Sequence, residues 1–388
     1  MTVPRSFPRI LALELAMAWG SMLVGTLLPD LIAEFRLSLG QAGLAGTIQN
    51  LAALAATLAA GALCRRLGSG RLLLAGAFML AIVPMAIAAA GTPGILFCGV
   101  ALLGLGTGAI DPMTNVELSR IAAENRGRYL SLLHFTYSVG AIAIPLVAAG
   151  AASLCGWRGP VYLGMVFSLS AGIWFGLGQD GGPPPAAREQ NRSGRALWRD
   201  PLAWIMAPAM FLYAGVYKNL AVWIVTYLEK EFRLSHTAAA LGLSLLFASV
   251  TLGRLLAVRL ERSVSRTGLL LCYALGGAAA TILLPAGGPG PVLCGIALFG
   301  LATGGIYPIA TAFGMERYPD RAGPIAGLIY GAGTCGGIVL PVLTGRIADA
   351  SGMRTGISVC TLAMATAALA FIALFWQQRR HTAIKGGF

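Results

Sequence analysis

Twelve mainly apolar stretches, each close to the roughly 20 residues that a membrane-spanning helix needs, take up most of this sequence. They lie near residues 8–28, 42–63, 72–91, 95–117, 130–152 and 159–178, and after a gap near 202–226, 237–258, 268–286, 291–314, 325–347 and 355–376. Each is a continuous run, whereas a lipid-facing β-strand alternates over about 10 residues, so a membrane β-barrel is excluded. A soluble fold is excluded too, because only 11% of the 388 residues are charged, against about 25% in an ordinary soluble domain. Disordered and disulfide-scaffold classes fall with it. The expected fold class is an all-α membrane protein with twelve transmembrane helices. Arg5 and Arg9 precede the first run like the start of a signal peptide. That run is too long for one, contains Glu14 and lacks a cleavage site, so it reads as a retained span.

The one long polar stretch, 179–200, holds Gly181-Gly182-Pro183-Pro184-Pro185 and then Arg188, Arg192, Arg195 and Arg199. It is expected to be a cytoplasmic linker between an N-terminal six-helix bundle, 1–178, and a C-terminal one, 201–388. The positive-inside rule sets the orientation. With the N-terminus inside, 21 of the 28 Lys and Arg face the cytoplasm and six face the other side, and Lys218 is left within a span. Both termini are therefore expected in the cytoplasm. The net charge of +13 follows from this topology, and no nucleic-acid partner is expected. The seven cysteines show no CxxC spacing and read as small buried hydrophobes.

The two halves repeat. Glu34-Phe35-Arg36-Leu37-Ser38 recurs as Glu231-Phe232-Arg233-Leu234-Ser235, an offset of 197. Gly104-Leu105-Gly106-Thr107-Gly108-Ala109-Ile110-Asp111-Pro112 recurs as Gly300-Leu301-Ala302-Thr303-Gly304-Gly305-Ile306-Tyr307-Pro308, an offset of 196. Pro145 and Gly156 match Pro341 and Gly352, again at 196. Such duplication implies two bundles related by a pseudo-twofold axis along the membrane normal, with a site between them near the midplane. That is the architecture of alternating access, so transport is the expected function.

These features resemble the major facilitator superfamily over nearly the whole chain. Gly61-Ala62-Leu63-Cys64-Arg65-Arg66-Leu67-Gly68-Ser69-Gly70-Arg71 is similar to its cytoplasmic loop Gly-x-x-x-Asp-Arg-x-Gly-Arg, with Arg65 where the family has Asp. The resemblance implies a gating role for Gly61, Arg65, Arg66, Gly68 and Arg71. Other segments resemble the fucose and glucose proton-symporter branch: Leu27-Leu28-Pro29, Asp111-x-x-x-Asn115, Tyr213-Ala214-Gly215, Gly253-Arg254, Tyr307-Pro308 and Gly336-Gly337-Ile338-Val339-Leu340-Pro341. Two departures touch ligand-facing positions of that branch. Val24, Gly25 and Thr26 stand where it often has an acid or amide, and Tyr217-Lys218 where it often has Glu or Gln.

Ionisable groups inside a span are costly, so each is a functional candidate. Asp111 shares a helix face with Asn115 at i and i+4, and the resemblance gives the matching acid the coupling proton. Glu14 lies at similar depth in the first span and either shares that proton or snorkels toward the cytoplasm. Lys218, in the opposite half, either pairs with an acid or receives an anionic substrate group. Gln49, Asn50, His134, Tyr137, Tyr217, Asn219, Trp223, Tyr307 and Tyr330 are candidate cavity-lining residues, and aromatic rings beside amides suit a sugar. Glu117 and Arg120 are assigned to topology or gating. The glycine runs lie inside spans and serve close helix packing, not nucleotide binding. No GxSxG elbow, His-based metal spacing or Cys/His arrangement is present, so no enzyme activity, metal or cofactor is expected.

The expected function is proton-coupled secondary active transport of a small polar solute, a sugar or related compound, across the inner membrane. The alternative is a proton-coupled exporter, or an organic-anion transporter or exchanger using Lys218. The expected partners are the solute, protons and the lipid bilayer, and the chain is expected to act as a monomer.

Overall fold

The structure is a computed structural model and describes residues 6–121, 126–178 and 200–385. Of the expected linker, 179–200, all but Asp200 lies outside them. The described residues form helices and no strand: α1 (Phe7–Phe35), α2 (Leu39–Leu67), α3 (Ser69–Ala88), α4 (Pro93–Ile121), α5 (Arg126–Cys155), α6 (Arg158–Gly176), α7 (Pro201–Phe232), α8 (His236–Leu260), α9 (Arg266–Thr281), α10 (Pro289–Thr303), α11 (Ile306–Arg317), α12 (Ala322–Ser351) and α13 (Met353–Lys385). Together α10 and α11 make the tenth span. The fold class is as expected, a twelve-span helical membrane protein.

Most helices outrun their apolar cores. The 29 residues of α1 reach about 44 Å at 1.5 Å each, against a hydrocarbon layer of about 30 Å. The surplus carries charges, as Asp30 and Glu34 do in the last turns of α1, and hydropathy does not mark its end. The tenth span differs in another way, because its helix breaks at Gly304-Gly305. Pro308 has no N–H for the carbonyl four residues back, and two adjacent glycines tolerate the kink. The Tyr213 hydroxyl donates to the Thr303 carbonyl at the break, at 3.1 Å.

By internal contacts the chain forms two compact units. Unit 1 is Met1–Arg188 with Ile224–Glu229 and Leu234–Ser244, and unit 2 is Glu189–Trp223, Lys230–Arg233 and Leu245–Phe388. The outer ends of α7 and α8 thus pack with unit 1. There His236 Nδ1 lies 2.5 Å from Glu229 Oε1, and its Nε2 lies 3.6 Å from Asp30 Oδ2 on α1.

The duplication extends to backbone and contacts. Arg36 and Arg233 are the only non-glycine described residues with positive φ, at 49° and 54°, and each follows the last residue of a helix. Gly156 and Gly352 sit at 71° and 88°, where α5 turns into α6 and α12 into α13. Glu34 pairs with Arg158 at 2.9 Å, and its repeat partner Glu231 pairs with Arg354 at 2.6 Å. Close crossings repeat as well: a Cβ on Gly108 would lie 2.1 Å from the Ala53 carbonyl oxygen, and one on Gly304 2.3 Å from that of Val250.

The exterior is apolar, with Leu154 85% and Leu362 73% exposed. This corrects the reading of the cysteines. Cys64 and Cys360 are buried, but Cys98, Cys155, Cys272, Cys294 and Cys335 are exposed. On a lipid-facing surface apolarity does not separate inside from outside, so an apolar neighbourhood was a poor guide to burial.

Candidate functional site

Within unit 1, α1 and α4 bring two acids together. Glu14 is 1% exposed, and the charge of Asp111 acts on it. Thr114, one turn beyond Asp111, places its Oγ1 3.1 Å from Glu14 Oε2 and 3.0 Å from the Asp111 main-chain oxygen. A hydroxyl has one proton, so it serves one acceptor at a time. When Glu14 is ionised, Thr114 donates to it. When Glu14 carries a proton, the carboxyl can donate to Thr114 while Thr114 donates to the helix carbonyl. No cation pairs with Glu14 among the described residues. Asp111 itself is exposed, and Asn115 Nδ2 donates to its main-chain oxygen at 2.7 Å.

The amides expected to line a cavity have partners of their own. Gln49 Nε2 donates to the Gly20 carbonyl at 2.9 Å, and Asn50 Nδ2 to the Gly46 carbonyl at 2.8 Å. Asn219 is fully buried, with Nδ2 3.1 Å from Cys360 Sγ. Trp223 is also fully buried, and its indole N–H donates to the Pro341 carbonyl at 3.0 Å. The Asn50 bond stays within α2, and the other three fasten helix to helix, which is ample cause for a polar residue in a span. His134 is exposed and Tyr137 half-buried on α5.

Unit 2 assembles aromatic rings. Tyr307 and Tyr330 stack with centroids 5.3 Å apart and planes 13° from parallel. Tyr213 meets Tyr307 edge-on at 5.5 Å, and Tyr217 meets Phe247 likewise at 5.8 Å. The Tyr307 hydroxyl sits over Gly333 of α12, where a Cβ would lie 2.1 Å away, and the Lys218 stem lies against Gly337 on the same face. The charge of Arg254 on α8 acts on Tyr213, Tyr217 and Tyr307. Sequence reasoning gave Arg254 no role. The available signal was its position, six residues inside the end of α8 at Leu260.

At the expected gating loop, Gly68 turns α2 into α3 with φ +80°, a conformation that favours glycine. Nothing lies within 4 Å of a Cβ on Gly61. Arg65, Arg66 and Arg71 are exposed. The acid at this end comes from α4: Glu117, 4% exposed, accepts from Ser69 Oγ and pairs with Arg120. In unit 2, Arg266 at the start of α9 pairs with Glu316 near the end of α11.

The chain is 27% identical over 356 residues to a 2-nitroimidazole transporter of Escherichia coli K12, covering 87% of this chain and 88% of the relative. It is 24% identical over 365 residues to the cis,cis-muconate transport protein of Acinetobacter baylyi, covering 87% and 86%. Among solved structures it is similar to a variant of the nucleoside transporter NupG, with TM-score 0.80 and 16% identity over 96% of this chain and all of that one. The Major Facilitator Superfamily profile matches residues 10–341, so the chain belongs to that superfamily, as a membrane transporter of small solutes.

Proposed function

We propose that the chain couples movement of a small polar solute to movement of a proton by alternating access, with Glu14 and Asp111 carrying the proton and unit 2 binding the solute. The observation behind this is a fully buried carboxyl, Glu14, that has an acid and a hydroxyl beside it and no cation among the described residues. A structural carboxylate would be paired with a cation. Two neighbouring carboxyls titrate as a unit, and the Thr114 hydroxyl can satisfy either state of Glu14. The lysine and arginine distribution supports the inner membrane with both termini in the cytoplasm. One chain carries both units, which suits action as a monomer.

The solute is less a sugar than the fucose and glucose resemblance implies. One N–H of each amide of Gln49, Asn50, Asn115 and Asn219 is directed at another protein group, which leaves fewer donors for a sugar's hydroxyls. The stacked tyrosines offer a flat face, and the two relatives are named for transport of a nitroimidazole and of muconate, neither a sugar. This favours a small organic molecule with a flat body.

The test is uptake into proteoliposomes under an imposed pH gradient. Asp111→Asn and Glu14→Gln should each abolish uphill uptake and retain exchange of labelled for unlabelled solute. Undiminished uphill uptake in both variants would refute proton coupling at this pair.

A further inference from the structure

We propose that His236, held between Asp30 of α1 and Glu229 of α7, is a proton-operated latch that ties the outer ends of α7 and α8 to α1 and releases them when its proton is lost. This goes beyond the coupling pair and rests on the alternating-access reading, in the orientation set by the lysine and arginine distribution.

The three groups come from three helix ends. Asp30 lies in the last turns of α1, Glu229 in the last turn of α7, and His236 is the first residue of α8. All three lie beyond the apolar runs 8–28, 202–226 and 237–258, and their side chains are half-buried. The left-handed turn at Arg233 folds α8 back and brings His236 to Glu229, with Nδ1 2.5 Å from Oε1. On the other side of the ring, Nε2 lies 3.6 Å from Asp30 Oδ2. Both Nε2 and Asp30 Oδ2 are shielded from solvent, and neither has a hydrogen-bond partner.

A count of protons gives this arrangement its meaning. A neutral imidazole has one N–H, and its other nitrogen is an acceptor. With a carboxylate at each nitrogen, one acceptor would face another. One added proton removes the conflict, because imidazolium donates from both nitrogens, to Glu229 and across the gap to Asp30. His236 opens α8, where the helix dipole opposes a cation, so the two acids hold that charge. The other charges at this end do not compete. Glu34 pairs with Arg158 and Glu231 with Arg354, and Arg36, Lys230 and Arg233 are exposed. Among the described residues His236 is the one cation within ion-pair distance of Asp30 or Glu229. The tied arrangement is therefore favoured at low pH and dissolves as pH rises.

The turn itself does not need the triad. In the repeat, α1 turns into α2 through Arg36 with the same left-handed backbone, and at the offset of 197 Ile32 and Leu39 stand for Glu229 and His236. What the triad adds is the tie to α1. Ile224–Glu229 and Leu234–Ser244 belong to unit 1, whereas the rest of α7 and α8 belongs to unit 2. A helix moves as a rod, so displacement of α7 and α8 with unit 2 has to part His236 from Asp30, while Glu229 travels on the same corner.

The test is hydrogen–deuterium exchange of the full-length protein in lipid nanodiscs, without solute or gradient. It is read on peptides from the α7–α8 corner, normalised at each pH to an unstructured peptide. Exchange there should be about tenfold or more slower at about pH 6 than at about pH 8.5, the factor expected for one charge-assisted hydrogen bond. Asp30→Asn offers Nε2 an N–H to accept from, so this variant should stay protected at both pH values. Asp30→Ala leaves Nε2 nothing and should be open at both. Equal protection of the native corner at the two pH values would overturn the proposal. So would Asp30→Ala as protected as the native protein at low pH, or Asp30→Asn with the native pH response. Glu14→Gln should keep the response, and its loss there would assign the effect to the coupling pair instead. Proton coupling fails separately: solute flux indifferent to a pH gradient, in a protein whose corner responds as stated, would remove the coupling and leave the latch standing.

Discussion

The tightest helix crossing in unit 2 permits a comparison in which one substitution has opposite signs at two places on one helix. A Cβ on Gly336 of α12 would lie 1.9 Å from the Phe211 carbonyl oxygen of α7 and 3.0 Å from the Gly215 Cα. Real Cβ contacts below 3.0 Å essentially never occur, so Gly336→Ala must open the crossing by at least 1.1 Å. There is no slack to absorb this, because a Cβ on Gly215 would already lie 3.1 Å from the Gly336 carbonyl. A shift of that size would also stretch the Trp223–Pro341 hydrogen bond from 3.0 Å to about 4 Å, past any useful geometry. Overpacking costs about 1–3 kcal/mol and the lost bond about 1 kcal/mol. The better helix propensity of Ala returns up to about 1 kcal/mol. The net is a loss of about 1–3 kcal/mol. On the same helix nothing lies within 4 Å of a Cβ on Gly331, so Gly331→Ala keeps only the propensity gain, up to about 1 kcal/mol. Equilibrium unfolding in mixed micelles, followed by far-UV circular dichroism, should separate the two variants by about 2–4 kcal/mol. Gly336→Ala as stable as Gly331→Ala would show that the α7–α12 crossing does not depend on the missing side chain.

The same assay serves two more comparisons. Glu117→Gln should cost about 1–3 kcal/mol, because that carboxylate is buried and accepts from both Ser69 and Arg120; Glu34→Gln, in the half-exposed pair with Arg158, should cost under about 1 kcal/mol. Arg36→Gly and Arg233→Gly should each stabilise by about 0.5–1 kcal/mol by relieving a left-handed conformation that glycine adopts freely, and a gain at one with a loss at the other would mean the two turns are not equivalent.

Spans were legible because twenty apolar residues in a row have few other uses, and the repeat was legible because its motifs keep their spacing. What hydropathy could not locate were the helix ends. Asp30–Phe35 carries two acids and is nonetheless helical, since hydrogen bonding along the helix continues after the hydrocarbon stops. The break at Gly304-Gly305 was foreshadowed by Gly-Gly followed by Pro308, a combination that frees a carbonyl, yet the apolar run over it reads as continuous. Among site residues, proximity of Glu14 and Asp111 was inferable from similar depth in two spans. That Thr114 joins them was not, because a threonine in a span usually bonds to its own helix, as Thr26 does to Met22.

The polar residues of the spans share one ambiguity. Polarity in a span marks a group that needs a partner, and it does not say whether that partner is a ligand or another helix. Asn219 and Trp223 look like ligand residues and turn out to be fastened to Cys360 and Pro341. The duplication sharpens the distinction. Glu34–Arg158 and Glu231–Arg354 recur at the repeat offset, as do the glycine crossings, and what recurs in both halves maintains the fold. Glu14, Asp111 and Arg254 have no charged counterpart at that offset: Met210, Tyr307 and Leu58 stand in their places. A charge present in one half alone can still serve the fold, as Glu117 does with Ser69 and Arg120 although Phe313 stands at the repeat offset.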